Sequence, residues 1–195
     1  MLKRVFVLFS AVFTLSASTW ADVWNIDKPH TSVGFTVRHM VVTKVHGQFK
    51  DFDGEIEFDG KNVETGLANI TIRMASIDTE NQKRDDHLKS ADFFDVEKFP
   101  MMSFKSKKMI KGEGDNFKIT GDLTIKDVTK EVTLDAVFNG TIKDPWGGTR
   151  AGFSATGKIN RQDFGVKWNQ ALETGGFLVG DEVTINIETE LIKGE

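Results

Sequence analysis

The sequence predicts an all-β protein: an antiparallel barrel of about eight strands, crossed once by a helical segment near 79–95 and enclosing a hydrophobic cavity. Three observations carry that expectation. Apolar and polar residues alternate with period two along most of the chain, as in Ser32–Met40, where Val33, Phe35, Val37 and His39 share one face. Gly, Asp and Asn stand where the alternation breaks, at Asp59-Gly60, Gly112–Asn116 and the Pro145–Gly148 turn. One stretch, Asp78–Pro100, departs from the pattern: its charges crowd together, and Leu88, Phe93 and Phe94 are its main apolar residues.

At the N-terminus, Lys3 and Arg4 precede the apolar run Val5–Ala17, and small residues lead to Ala21. That is the layout of a secretory signal peptide, and the run is shorter than the roughly 20 residues of a membrane span. Cleavage after Ala21 is expected, leaving residues 22–195 as one exported barrel domain. The chain has no Cys, which excludes a lipidated-cysteine anchor and any dependence on disulfides.

The strands follow in order. Asp22–Asp27 is a short extended start, and Pro29 marks a turn before the Ser32–Met40 strand, which Val45–Phe49 continues past a bend. Phe52, Gly54, Ile56 and Phe58 then share one face against four acids; Ala68, Ile70, Ile72 and Met74 oppose Asn69, Thr71 and Arg73. In the crossing segment Asp78 or Thr79 is the expected helix N-cap, and Pro100 ends it. Strands at 101–108, 117–125, 131–138, 150–160 and 181–192 complete the barrel, with an irregular loop over 161–179.

The inward rows mix bulky side chains with Gly121, Ala136, Ala155 and Gly157. An eight-stranded barrel is either just filled by its side chains or left with room for one ligand, and small residues on several rows favour room. The aromatic complement is 16 Phe and 4 Trp with no Tyr, so inward rings carry no hydroxyl that needs a partner. A formal charge of −4 without a basic cluster argues against a nucleic-acid surface.

Signals for catalysis are weak. His30, His39, His46 and His87 match no compact metal-ligand spacing, so no metal or other cofactor is expected. A calcium loop beginning at Asp51 would need Gly at Ile56 and Glu at Asn62. Ser154 lies mid-strand, not on a nucleophile elbow. The Arg84-Asp85-Asp86-His87 cluster reads equally as a solvated helix face or as a tie between the crossing segment and the barrel.

Three stretches carry a family resemblance. They are Trp24-Asn25-Ile26-Asp27 with His30 and the strand after it, Arg84-Asp85-x-His87-Leu88 with Asp92-Phe93-Phe94-Asp95, and Arg161-x-Asp163-Phe164-Gly165. Together they make the chain similar to the YceI-like family over essentially all of Asp22–Leu191. The resemblance implies a lipocalin-like barrel, often periplasmic, in which some members hold long isoprenoid or similar chains. Lipocalins proper begin with Gly-x-Trp, whereas here Asp22 precedes Trp24 at that spacing.

The expected function is therefore a periplasmic binding protein, not an enzyme, carrying a long-chain isoprenoid or other amphiphilic lipid. Neither nucleic acid nor stable membrane insertion is expected, and a homodimer is compatible with the sequence. Alternation places Phe35, Val37, Ile70, Ile72, Met102, Phe104, Phe153, Ile185 and Ile187 on the ligand, with His39 at its head group and Phe164 and Trp168 as a flap at the mouth. Two rivals stand beside this reading. One is an enzyme acting on a lipid or quinone through His39, His87 and Asp85; the other is a structural or partner-binding barrel with a filled core.

Overall fold

The alternating rows fold as antiparallel strands joined in one sheet. The structure is a computed structural model and describes residues 22–173 and 175–194, so the expected signal peptide lies outside the described residues. Its strands are β1 (Asp22–Ile26), β2 (Ser32–His39), β3 (Thr43–Phe49), β4 (Phe52–Phe58), β5 (Leu67–Arg73) and β6 (Ile77–Asp78). After the helix α1 (Gln82–Lys89) come β7 (Met101–Lys111), β8 (Asn116–Ile125), β9 (Val128–Lys143), β10 (Thr149–Asn160) and β11 (Val179–Lys193).

Pairing runs β1-β4-β5-β7-β8-β9-β10-β11, and β1 then pairs β11, which closes an 8-stranded lipocalin-like barrel. The strands β2, β3 and β6 extend this ring at one end. β1 and β2 are successive halves of one edge along β11, joined by a turn at Lys28–His30 where Pro29 withholds a ladder donor. The neighbouring strands break beside it. Lys50 and Asp51 separate β3 from β4, Met74–Ser76 separate β5 from β6, and the two breaks are stitched by Lys50 N–H to Ser76 O (3.2 Å) and Arg73 N–H to Asp51 O (2.9 Å).

Two departures from strict alternation matter for the interior. The row Met102, Phe104, Ser106 would send Lys108 inwards, but a bulge between Ser106 and Lys108 resets the register and Met109 faces the lumen instead. The helix is also shorter than expected and begins later. Glu80 takes φ 60° and redirects the chain, so Asn81 becomes the N-cap, accepting from Arg84 N–H at 3.0 Å. Past Ser90 the segment winds through turns in which Asp95, at φ 51°, donates its N–H to Ser90 O at 2.8 Å.

Packed clusters lie towards both ends of the barrel. Trp24, Phe58, Ala151 and Leu191 close one end, with Trp24 stacked on Phe58 at 4.8 Å and its indole donating to Phe58 O at 3.1 Å. Beside them a polar hub holds the β1–β10–β11 seam. The Arg150 guanidinium donates to Asp144 (2.8 Å), to Asp27 (2.5 Å) and to Glu190. Arg150 holds the Asp144 carboxyl below the usual carboxylate range. Burial pushes Asp27 up, but His30 and Arg150 outweigh it and leave Asp27 low as well. Depressed carboxylates stabilise the fold above their ordinary pKa and cease to do so as pH falls through the lowered values. Acid unfolding is therefore expected to steepen below about pH 4. Arg150→Met should flatten that part of a stability–pH curve followed by circular dichroism, and an unchanged slope would contradict the assignment.

Candidate functional site

The barrel encloses a cavity of about 280 Å³, close to the lower end of the roughly 300–1,000 Å³ range of small-molecule sites. Its walls are the inward rows, so the lining is almost wholly aliphatic and aromatic. Phe35, Ile70, Phe104, Phe153, Ile185 and Ile187 all point into it, yet each stays only half-buried. Residues of this type in the middle of a domain are normally covered completely. Their residual exposure means that no neighbouring side chain fills the lumen.

Every strand residue expected in the wall, apart from His39, is there: Phe35, Val37, Ile70, Ile72, Met102, Phe104, Phe153, Ile185 and Ile187. The structure places the other three candidates elsewhere. His39 ends β2, half-buried, in register with Val179, which does line the cavity. Phe164 is 2% exposed and belongs to the packed core, which leaves it no freedom to act as a flap. Trp168 is half-buried and packs edge-to-face on His87 at 4.8 Å and against Phe93 at 5.1 Å.

Several wall residues outside that set sit on the same alternating rows, among them Val33, Phe52, Ile56 and Leu123, and were within reach of the periodicity. Leu88, Phe93 and Phe94 come from the crossing segment, whose three apolar residues turn inwards and close the lumen at the helix end. Arg161 also borders the cavity, and nothing in the alternation singles it out.

Two polar devices fix these closures. In the first, Asp85 is buried and accepts from Thr79 N–H (2.9 Å) and Thr79 Oγ1 (2.5 Å). Arg84 donates to Thr79 Oγ1 (2.7 Å) and to Thr79 O (2.6 Å). The Arg-Asp pair is thus a latch that fastens the first turn of α1 to the end of β6. His87 serves the same segment from the other side, bonded to Asp92 at 2.9 Å.

In the second, Arg161 is buried at the end of β10 and gives all its donors to the following loop and the start of β11. Nε donates to Gly180 O (2.9 Å), Nη1 to Val166 O (2.7 Å) and Trp168 O (2.9 Å), and Nη2 to Val179 O (3.3 Å) and Asp181 (3.2 Å). Burial lowers its pKa and the Asp181 charge opposes that shift. A guanidinium has five N–H donors. None remains for a ligand, so Arg161 positions the loop and does not recognise a head group.

Asp27, His30 and Glu190 bring three ligand-type atoms within 4.8 Å of one another. Arg150 is bonded to both carboxylates of that group, which makes it an ion-pair hub on the barrel seam. Asp85 is engaged by Thr79 and His87 by Asp92, so the acid and base that an enzymatic reading would use are each committed to holding the crossing segment.

Comparison with known proteins agrees with this architecture. The model of the YceI-like domain matches residues 24–191. The chain is 46% identical over 163 residues to the protein YceI of Salmonella newport, covering 83% of this chain and 84% of that one. Among solved structures, the YceI protein of Campylobacter jejuni matches with a TM-score of 0.70 at 40% identity, covering 87% of this chain and 96% of that one. A polyisoprenoid binding domain from Saccharophagus degradans has a TM-score of 0.65 at 11% identity, covering 88% of this chain and 98% of that one; this likeness concerns the fold alone. A matched domain that spans nearly every strand, with relatives similar along most of their own length, settles the relationship: the chain belongs to the YceI-like family.

Proposed function

We propose that this protein is exported to the periplasm and there carries a long-chain isoprenoid or similar amphiphilic lipid in its lumen. The single observation that carries the proposal is an apolar cavity whose inward residues are left half-exposed. Burying about ten methylenes in such a space contributes roughly 8 kcal/mol. Ordering the chain and losing free translation return several of those kcal/mol, and a useful affinity remains without any polar contact. Recognition is then mainly of shape and length, as the scarcity of free polar groups on the wall requires. Export is supported by the Lys3-Arg4 head and the short apolar run that follows. The polyisoprenoid-binding neighbour agrees with the proposal at the level of fold.

The test is organic-solvent extraction of protein purified without detergent, followed by mass spectrometry of the extract. A lipid with a long unbranched or isoprenoid tail, in an amount comparable to the protein, is the expected result. An extract without any apolar molecule, from protein that also fails to take up added polyprenol, would dismiss the proposal.

A further inference from the structure

The hairpin between β2 and β3 is built against the usual chemistry of such turns. Met40 and Val41 both have positive φ, at 50° and 65°, and Val42 N–H closes the turn on His39 O at 3.2 Å. Two consecutive positive-φ positions in a hairpin normally carry Asn-Gly, and a β-branched residue there is strained. The side chains so placed face water: Met40 is 43% exposed, Val41 57% and Val42 82%. Phe177, 57% exposed, lies on the adjoining loop, which is tied to the hairpin by Met40 N–H to Leu178 O at 2.8 Å. Scattered exposed apolar residues need no explanation, but a strained apolar tip continuous with a second apolar loop does.

Just below the tip, Arg38 and Lys44 face each other across the hairpin, both exposed, and Arg38 Nη1 donates to Val41 O at 3.1 Å. The adjoining loop adds Lys167 and Glu173. The opposite end of the barrel also exposes an aromatic side chain, Trp146, whose neighbouring loops mix Asp59, Glu64, Glu113 and Asp115 with Lys61 and Lys143. At the hairpin end, Arg38 and Lys44 thus place two exposed cations directly beside the apolar tip. Val37 and Val179, the wall residues next to Arg38 and Leu178, line the cavity, so the tip lies beside its end.

We propose that the Met40–Val42 tip, with Phe177, docks on an anionic lipid surface and brings the cavity to the membrane from which cargo is drawn. The apolar side chains enter the interface while Arg38 and Lys44 lie at the level of the phosphates. The use made of the docking rests on the carrier reading; the docking itself does not.

Flotation of the mature chain with vesicles tests it. Vesicles of phosphatidylcholine with phosphatidylglycerol are expected to carry the protein up the gradient, and added salt should weaken the association. Phosphatidylcholine alone should bind far less. Combining Met40→Asn, Val41→Gly and Val42→Ser should abolish flotation by at least about tenfold, while the melting temperature stays level or rises because the turn is relieved. Arg38→Gln and Lys44→Gln should each cost about fivefold on anionic vesicles. Wild-type protein that stays at the bottom of the gradient, or a tip variant that floats as well as wild type, would overturn the proposal. Extractable lipid without flotation removes the docking and leaves the carrier intact; flotation lost with the tip variant in a protein without extractable lipid keeps the docking and removes the carrier.

Discussion

Arg161→Met is expected to destabilise the barrel by about 3–5 kcal/mol, which for a chain of this size lowers the melting temperature on the order of 10 °C. The substitution keeps the volume but removes the donors that four backbone carbonyls and the Asp181 carboxylate share. Those carbonyls belong to Val166 and Trp168 on the loop before β11 and to Val179 and Gly180 at its start, where Asn169 Nδ2 also donates to Val179 O at 2.8 Å. Leaving buried acceptors unmet costs about 1–3 kcal/mol apiece before relaxation, and water entering the loop recovers part of it. Arg161→Lys should fall between, since an ammonium has three donors and no planar fork. Differential scanning calorimetry decides the matter. A drop of a degree or two for the methionine variant would show that the loop holds itself closed.

Filling the lumen should separate stability from binding. Ala155→Phe and Ile70→Trp each place a large ring where Ala155 and Ile70 now border the cavity. In a solid core such enlargements force side chains off their rotamers and cost about 1–3 kcal/mol each. In an open lumen the ring gains contacts instead. The expected result is an unchanged or raised melting temperature together with at least a tenfold loss of polyprenol uptake. Destabilised variants that still take up lipid would mean that these positions are packed wall and that the ligand goes elsewhere.

How far the sequence carries this account differs from residue to residue. The strand rows were legible because a half-buried strand leaves a period-two record, and the record of Val33, Phe35 and Val37 or of Ile185 and Ile187 is unbroken. The bulge at Ser106 was not, since an extra residue in one strand changes facing without changing composition, and the shift from Lys108 to Met109 follows only from pairing. The extent of β9 was underestimated at both ends. Its first residue, Val128, follows a two-residue turn in which Lys126 takes φ 57° without Gly or Asn to announce it.

The helix boundary was misplaced for a related reason. Thr79 has the side chain of an N-cap, but it is held by Asp85 and Arg84, and Asn81 does the capping. Arg84 and Asp85 were open between a solvated face and a tie, and the buried latch at Thr79 decides for the tie. His39 was placed at the head group because it continues the inward row of its strand, and Phe164 and Trp168 at the mouth because they stand in an irregular loop. Sequence has no means of telling a mobile loop aromatic from one packed into the core, as Phe164 is. Arg161 gave no signal beyond its family motif, because four of its five partners are backbone carbonyls, which have no letter in the sequence.

The claim beneath all of this is that the inward rows surround free space suited to an apolar tail. Diffraction from crystals of the protein purified without detergent tests it most directly. The account predicts continuous, elongated electron density between Phe35, Ile70, Phe104 and Ile185; a lumen closed by those same side chains, or holding only separate water peaks, would contradict it.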